Sequence, residues 1–128
     1  MEGESLATRT RVMLVEDHAD FRDFMMVLLG REPDLEVVAQ ARSLAEARNR
    51  VAAVRFDVVV LDLGLPDGNG ADLIADLRGT NPGVAVLVLS ASLDPRSLER
   101  ANEAGADEIM DKLASPAEVL GTIRRLGG

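Results

Sequence analysis

The chain has 128 residues and a formal net charge of −8, with 47% hydrophobic and only 2% aromatic residues. This length and composition suit one domain with an aliphatic core. The absence of cysteine excludes a disulfide framework, a thiolate metal site and thiol catalysis. The acidic excess argues against nucleic-acid binding by this domain alone. No apolar run approaches membrane-spanning length, so we expect no membrane contact and a cytoplasmic location.

Short aliphatic runs alternate with helical patterns five times along the chain. The runs cover residues 11–16, 35–40, 57–61, 84–89 and, more weakly, 106–111. Because Val and Leu follow one another in them without alternation, they suit strands covered on both faces, as in a parallel sheet.

An amphipathic helix is predicted after each run. The first has an apolar stripe at helical spacing, formed by Phe21, Phe24, Met25, Leu28 and Leu29. Capping signals open the second, fourth and fifth helices: Ser43 with Glu46, Asp94 with Pro95, and Ser115 with Pro116. The fourth helix carries only one large apolar residue, Leu98, which predicts a lightly packed element.

Five βα units in succession predict an α/β domain with one open, doubly wound, five-stranded parallel sheet. We expect this domain over residues 11–128, with a flexible N-terminal tail over residues 1–10. No sequence repeat or interdomain linker is apparent.

Polar residues stand at the ends of four predicted strands. Glu16 and Asp17 end the first strand, Asp62 the third, Ser90 the fourth and Lys112 the fifth. Ligands of open α/β sheets bind at the carboxyl ends of the strands, so we expect these residues to converge there.

Three clustered carboxylates repel one another unless a cation joins them. Oxygen ligands without histidine or thiolate select Mg²⁺, and the turn after Asp62 could add a backbone carbonyl. Asp62, on the central strand, is the best candidate for a nucleophile on phosphorus. Lys112 and Ser90 could then hold oxygens of the phosphoryl group.

At these residues the chain resembles the response-regulator receiver domains of two-component signalling, over about residues 11–126. The motifs are LVEDH, LDLGLPDGNG, LSAS and MDKLASP, in order and at the family's spacing. The finer features EDH, EPDLEVV and K-x-ASP resemble the NarL/LuxR branch, whose members usually carry a C-terminal helix-turn-helix domain.

The resemblance implies a flavodoxin-like strand order, 2-1-3-4-5, and a role for each site residue. Those roles are phospho-acceptor for Asp62, direct Mg²⁺ ligand for Asp17, acid acting on the metal through water for Glu16, carbonyl ligand for Gly64, switch hydroxyl for Ser90 and phosphate contact for Lys112. The implied function is that of a regulatory domain and not of an enzyme. A sensor histidine kinase or a small acyl phosphate would donate the phosphoryl group, and an output surface would switch, with homodimerisation as one outcome.

The chain departs from the family pattern at Ile109, at Gly64 and at Leu113, which follows Lys112 where many receivers have proline. Ile109 stands where many members carry an aromatic residue, so no ring can follow the switch hydroxyl inward. Gly64 is smaller than most residues at its position, which predicts an acyl phosphate open to water and short-lived.

Three other functions compete with this interpretation. A pseudo-receiver that binds partners without phosphorylation would normally have lost an acidic site residue, and none is lost here. A flavodoxin-like electron carrier needs a Ser/Thr-rich phosphate loop, whereas VEDHAD is acidic. An aspartyl phosphatase needs a second acid two residues after the nucleophile, where Gly64 stands. We further interpret His18 as an exposed capping residue at a helix start, Asp57 as structural and Asp67 as a turn residue.

Overall fold

The computed structural model describes residues 9–91 and 94–128. Its main sheet contains five parallel strands, namely β1 (Thr10–Val15), β2 (Leu35–Ala41), β3 (Val58–Leu61), β6 (Ala85–Ser90) and β7 (Glu108–Asp111). A short antiparallel hairpin, β4 (Gly64–Leu65) with β5 (Gly68–Asn69), follows β3. The helices in the described ranges are α1 (Ala19–Gly30), α2 (Leu44–Ala53), α3 (Gly70–Thr80), α4 (Pro95–Ala104) and α5 (Pro116–Gly127).

The strands of the main sheet lie in the order β2-β1-β3-β6-β7. This is the predicted order 2-1-3-4-5 once the hairpin is left out of the count, so the predicted doubly wound α/β fold is confirmed. The order reverses direction between β1 and β3, and these two central strands therefore carry the edge where a ligand site is expected.

The two faces of the sheet support separate hydrophobic cores, because successive side chains of a strand point to opposite faces. On one face, Met13 and Val15 of β1 pack with buried residues of α2, α3 and α4. On the other, Val12 and Leu14 pack with buried residues of α1 and α5. Burial on both sides explains why the strands read as unbroken Val and Leu runs.

Strand ends differ from the predicted ones by one or two residues. The first strand covers Thr10–Val15 and not residues 11–16, and β6 covers Ala85–Ser90 and not residues 84–89. These ends depend on pairing with neighbouring strands, which a single sequence segment does not contain.

Three of the four predicted helix caps form. Ser43, Asp94 and Ser115 each accept a hydrogen bond from the backbone amide three residues later. The carboxylate of Glu46 accepts from the amide of Arg42 at 2.8 Å. His18 occupies the N-cap of α1 but its side chain makes no capping hydrogen bond, so the predicted capping role is wrong. The backbone amide of His18 instead donates a hydrogen bond to Glu16 Oε2 at 3.1 Å.

The loop after β3 depends on a glycine. A Cβ on Gly70 would lie 2.6 Å from the carbonyl oxygen of Asp62, too close for any other residue. The Gly70 amide donates to the Leu63 carbonyl at 2.8 Å, and Asn69 caps α3 through the Ala71 amide. This tight return holds the hairpin against the end of β3.

Residues 1–8 of the predicted tail and Ser92 of the LSAS motif lie outside the described residues. Thr10, the last residue assigned to the tail, begins β1. Among the described helices, none has both the length and the apolar character needed to cross a bilayer.

Candidate functional site

Three carboxylates lie together at the carboxyl edge of the sheet. Glu16 and Asp17 follow β1, and Asp62 follows β3; ligand oxygens of the three lie within 4.8 Å of one another. The pairing of Val15 with Leu61 brings the two strand ends level, and the Asp62 amide donates to the Val15 carbonyl at 3.0 Å. The predicted convergence of these strand ends is present in the structure.

Glu16 is the buried member of the cluster, with only 2% of its surface exposed. Its carboxylate accepts from the His18 amide at 3.1 Å and from the Lys112 ammonium at 3.0 and 3.1 Å. Burial raises the pKa of the Glu16 carboxyl, the Lys112 hydrogen bond opposes that rise, and the nearby charge of Asp62 adds to it. The Lys112 ammonium therefore stabilises the charged form of Glu16, which burial disfavours.

Lys112 comes from the other end of the sheet, directly after β7. Its amide donates to the Ser90 carbonyl at 3.0 Å, which directs the chain toward the acids. Its Nζ lies 3.3 Å from Asp62 Oδ2, and the side chain is 14% exposed. One ammonium thus bridges the buried acid and the candidate nucleophile.

An open cleft of about 300 Å³ lies beside Asp62 and is lined by Gly64, Ser90, Ser97 and Lys112, among others. Ser90 is the buried last residue of β6. The Gly64 amide donates to Asp62 Oδ1 at 3.3 Å, and a Cβ on Gly64 would meet no atom within 4 Å. Asp62 therefore faces a space that could admit a small anionic group.

The donor set suits a hard divalent cation. All three clustered side chains offer oxygen, and Asp17 and Asp62 are more accessible than Glu16. Such oxygen ligands favour Mg²⁺, which keeps several of its waters and uses few carboxylates. The residues present therefore fit a magnesium ion.

The sequence does not predict two sets of contacts, one at this site and one at the start of α2. The Lys112 Nζ lies 4.7 Å from the centroid of the Phe21 ring, whereas the sequence predicts Phe21 only as part of the apolar stripe of α1. Asp67, interpreted as a turn residue, accepts hydrogen bonds from the amides of Leu44 and Ala45 at the start of α2. Neither contact leaves a local sequence signal, because its partners are far apart along the chain. By contrast, Asp57 accepts from the Arg11 amide at 2.8 Å, in line with its structural interpretation.

Fold and site together define a class: a doubly wound α/β domain with three acids, a serine and a lysine at the carboxyl edge of its sheet. The sequence profile described as "Response regulator receiver domain" matches residues 12–124. The chain therefore belongs to the response regulator receiver domain family.

Individual relatives agree with this assignment. The chain is 39% identical over 117 residues to the DNA-binding transcriptional activator DevR/DosR of Mycobacterium tuberculosis, an alignment that covers 91% of this chain and 54% of the relative. It thus spans about half the length of that regulator.

Two solved structures resemble the whole fold. The NarL signal receiver domain of Mycobacterium tuberculosis superposes with a TM-score of 0.86 at 27% identity, covering 91% of this chain and 94% of that one. A LuxR-family response regulator from Aurantimonas sp. SI85-9A1 gives 0.84 at 31% identity, covering 91% and 84%. The similarity to the NarL/LuxR branch is confirmed.

Proposed function

We propose that this receiver domain accepts a phosphoryl group on Asp62 in a Mg²⁺-dependent reaction and thereby switches an output surface. One observation carries the proposal: carboxylates from two strand ends lie within 4.8 Å of one another, with the Lys112 ammonium 3.3 Å from Asp62. A cluster of this kind binds a cation and an anionic group side by side.

Asp62 is the nucleophile. A carboxylate oxygen forms a bond to phosphorus while the phosphorus–nitrogen bond of a phosphohistidine, or the phosphorus–oxygen bond of an acyl phosphate, breaks. The bonding electron pair leaves with the imidazole or the carboxylate of the donor. No general base is required, because Asp62 attacks as an anion.

The remaining residues bind and orient. Asp17, Asp62 and the Gly64 carbonyl would hold Mg²⁺, with Glu16 acting through water, and the ion would supply positive charge beside the phosphoryl oxygens. The Lys112 ammonium would move from its contact with Asp62 to a phosphoryl oxygen, and the Ser90 hydroxyl would donate a hydrogen bond to another phosphoryl oxygen. Burial of Glu16 supports its indirect role, since it is less accessible than Asp17.

The donor would be a sensor histidine kinase in the cytoplasm or a small acyl phosphate. The domain would act as a regulator whose only chemistry is its own phosphorylation and dephosphorylation. By similarity to DevR/DosR, named as a transcriptional activator, we propose that the output is transcription, exerted through a part of a regulator other than this domain.

Intact-protein mass spectrometry tests the proposal. Incubation with acetyl phosphate and Mg²⁺ should add one phosphate, and Asp62→Asn should abolish the addition. Omission of Mg²⁺ with a chelator present should also abolish it. A wild-type protein that gains no phosphate would instead support the pseudo-receiver function, in which partners bind without phosphorylation.

A further inference from the structure

The Lys112 ammonium is held from two chemically different directions. Glu16 and Asp62 contact it with carboxylate oxygens at 3.0 to 3.3 Å. The Phe21 ring lies 4.7 Å from it, within the range of about 6 Å over which a ring face attracts a cation. With the side chain only 14% exposed, water competes poorly for either contact.

These two contacts respond differently to a bound cation. A divalent ion held by the carboxylates would reduce the negative charge that attracts Lys112 and would repel its ammonium. The Phe21 ring is uncharged, so its quadrupole attracts the ammonium equally with or without the ion. The ring therefore provides the part of the attraction that does not depend on the charge of the acids.

The ring is itself well supported. Phe21 belongs to α1, is half-buried, and packs against the core formed by α1, α5 and the sheet. Phe24, one helical turn later, has its ring centroid 6.1 Å from that of Phe21 and is 49% exposed. The helix thus presents one phenylalanine to the site and one to solvent.

We propose that Phe21 is a positioning residue, whose ring face keeps the Lys112 ammonium beside Asp62 when a cation occupies the acidic cluster. The proposal rests on the proposed phosphoryl transfer for its functional consequence. The contact itself is tested without that reaction.

The contact can be followed by nuclear magnetic resonance, because Lys112 is the only lysine of the chain and a lysine-labelled protein has one side-chain signal. The Lys112 Cε protons should show a ring-current shift that is lost in Phe21→Leu, kept in Phe21→Tyr and kept in Phe24→Leu. The wild-type shift should persist when Mg²⁺ is added. Loss of the shift on adding Mg²⁺, or its survival in Phe21→Leu, would overturn the proposal.

The functional consequence is measured with acetyl phosphate and Mg²⁺. Phe21→Leu should be phosphorylated about fivefold more slowly, as expected for loss of one partly desolvated cation–π contact. Phe21→Tyr should restore the rate, and Phe24→Leu should match the wild type.

Phenylalanine analogues with one, two and three ring fluorines at position 21 separate electronics from packing. They withdraw electron density from the ring face with little change in shape, so the rate should fall stepwise with each fluorine. A flat series in a protein that is phosphorylated would overturn the positioning role alone. A wild type that takes no phosphate would overturn the proposed function, while the resonance experiment would still decide whether Phe21 holds Lys112.

Discussion

The residues of the acidic cluster differ in their exposure to water and in their hydrogen-bond partners. Glu16 is buried and already accepts hydrogen bonds from Lys112 and the His18 amide, whereas Asp17 is exposed. Removing a charged group from water is costly unless a partner replaces the lost hydration. Lys112 is that partner for Glu16, and its simultaneous contact with Asp62 links a structural requirement to the proposed reaction.

Gly64 controls how open the proposed phosphorylation site is to water. A Cβ there meets no atom within 4 Å, so a longer side chain can be accommodated above the cleft beside Asp62. We expect Gly64→Arg to lengthen the lifetime of the phosphorylated protein severalfold, because the side chain would hinder attack by water. The decay of phosphoprotein after removal of the donor measures this.

The matched control for that substitution is Gly79→Arg. Gly79 is equally open to a new side chain but lies in the last turn of α3, away from the cleft. Its phosphoprotein should decay at the wild-type rate. Equal lifetimes for Gly64→Arg and wild type would contradict the prediction.

At the scale of elements, Asp67 connects the hairpin after β3 to the start of α2. Its carboxylate accepts from the Leu44 amide at 2.7 Å and from the Ala45 amide at 3.0 Å. These groups belong to the first turn of a helix, where amides lack partners within the helix and favour a negative charge. The helix and the hairpin are therefore joined by an ionisable group.

This junction predicts a dependence of stability on pH. The Leu44 and Ala45 amides lower the pKa of the Asp67 carboxyl in the folded protein. Such a carboxyl stabilises the fold above its unfolded-state pKa, and the contribution is lost as the pH falls through the lower folded-state pKa. Urea denaturation should show Asp67→Asn less stable than wild type at pH 7, with the difference shrinking below about pH 4.

Ser43→Ala provides the control at the same helix terminus. It removes the hydroxyl that accepts from the Glu46 amide but removes no titratable group, and should cost about 1 kcal/mol. Its effect should change little with pH. A difference between Asp67→Asn and wild type that stayed constant down to pH 3 would refute the Asp67 prediction.

The two ends of helix α4 make different contacts, and the helix buries little of its surface. Ala101 is its one fully buried residue, as the single large apolar side chain in its sequence led us to expect. At its C-terminal end, Arg78 donates to the Gly105 carbonyl with two nitrogens, at 2.8 and 3.0 Å. Its start is capped by Asp94, on the side of the sheet that carries the site. An element with little buried area is the one whose position a small change in free energy can alter.

For the whole molecule, a lightly packed helix α4 that begins on the side of the proposed phosphorylation site predicts a change in assembly on activation. Beryllofluoride with Mg²⁺, which mimics a phosphoryl group, should shift the protein toward a homodimer in size-exclusion chromatography coupled to light scattering. The reason is that a new anionic group beside Ser90 and Lys112 would favour one of two arrangements of a surface. Asp62→Asn should remain unchanged, and a wild type whose mass is the same with and without beryllofluoride would contradict the prediction.

Much of the architecture of the whole molecule could be predicted because its strands and its helices have different sequence patterns. Strands buried on both faces appear as unbroken aliphatic runs, and the caps at Ser43, Asp94 and Ser115 mark the starts of three helices. Strand ends could be predicted only to within one or two residues. The hairpin over residues 64–69 was predicted only as a turn, since two-residue strands have no periodicity to detect.

The amino-acid sequence predicts the βα alternation and the convergence of Glu16, Asp62 and Lys112 on one edge, and its family resemblance predicts the strand order. Parallel strands make that convergence predictable, since their carboxyl ends must share an edge. The contact of Phe21 with Lys112 and the hydrogen bond from the Leu44 amide to Asp67 are seen only in the folded chain. Those contacts depend on the angles at which helices pack on the sheet, and such angles result from the whole core and not from any one segment.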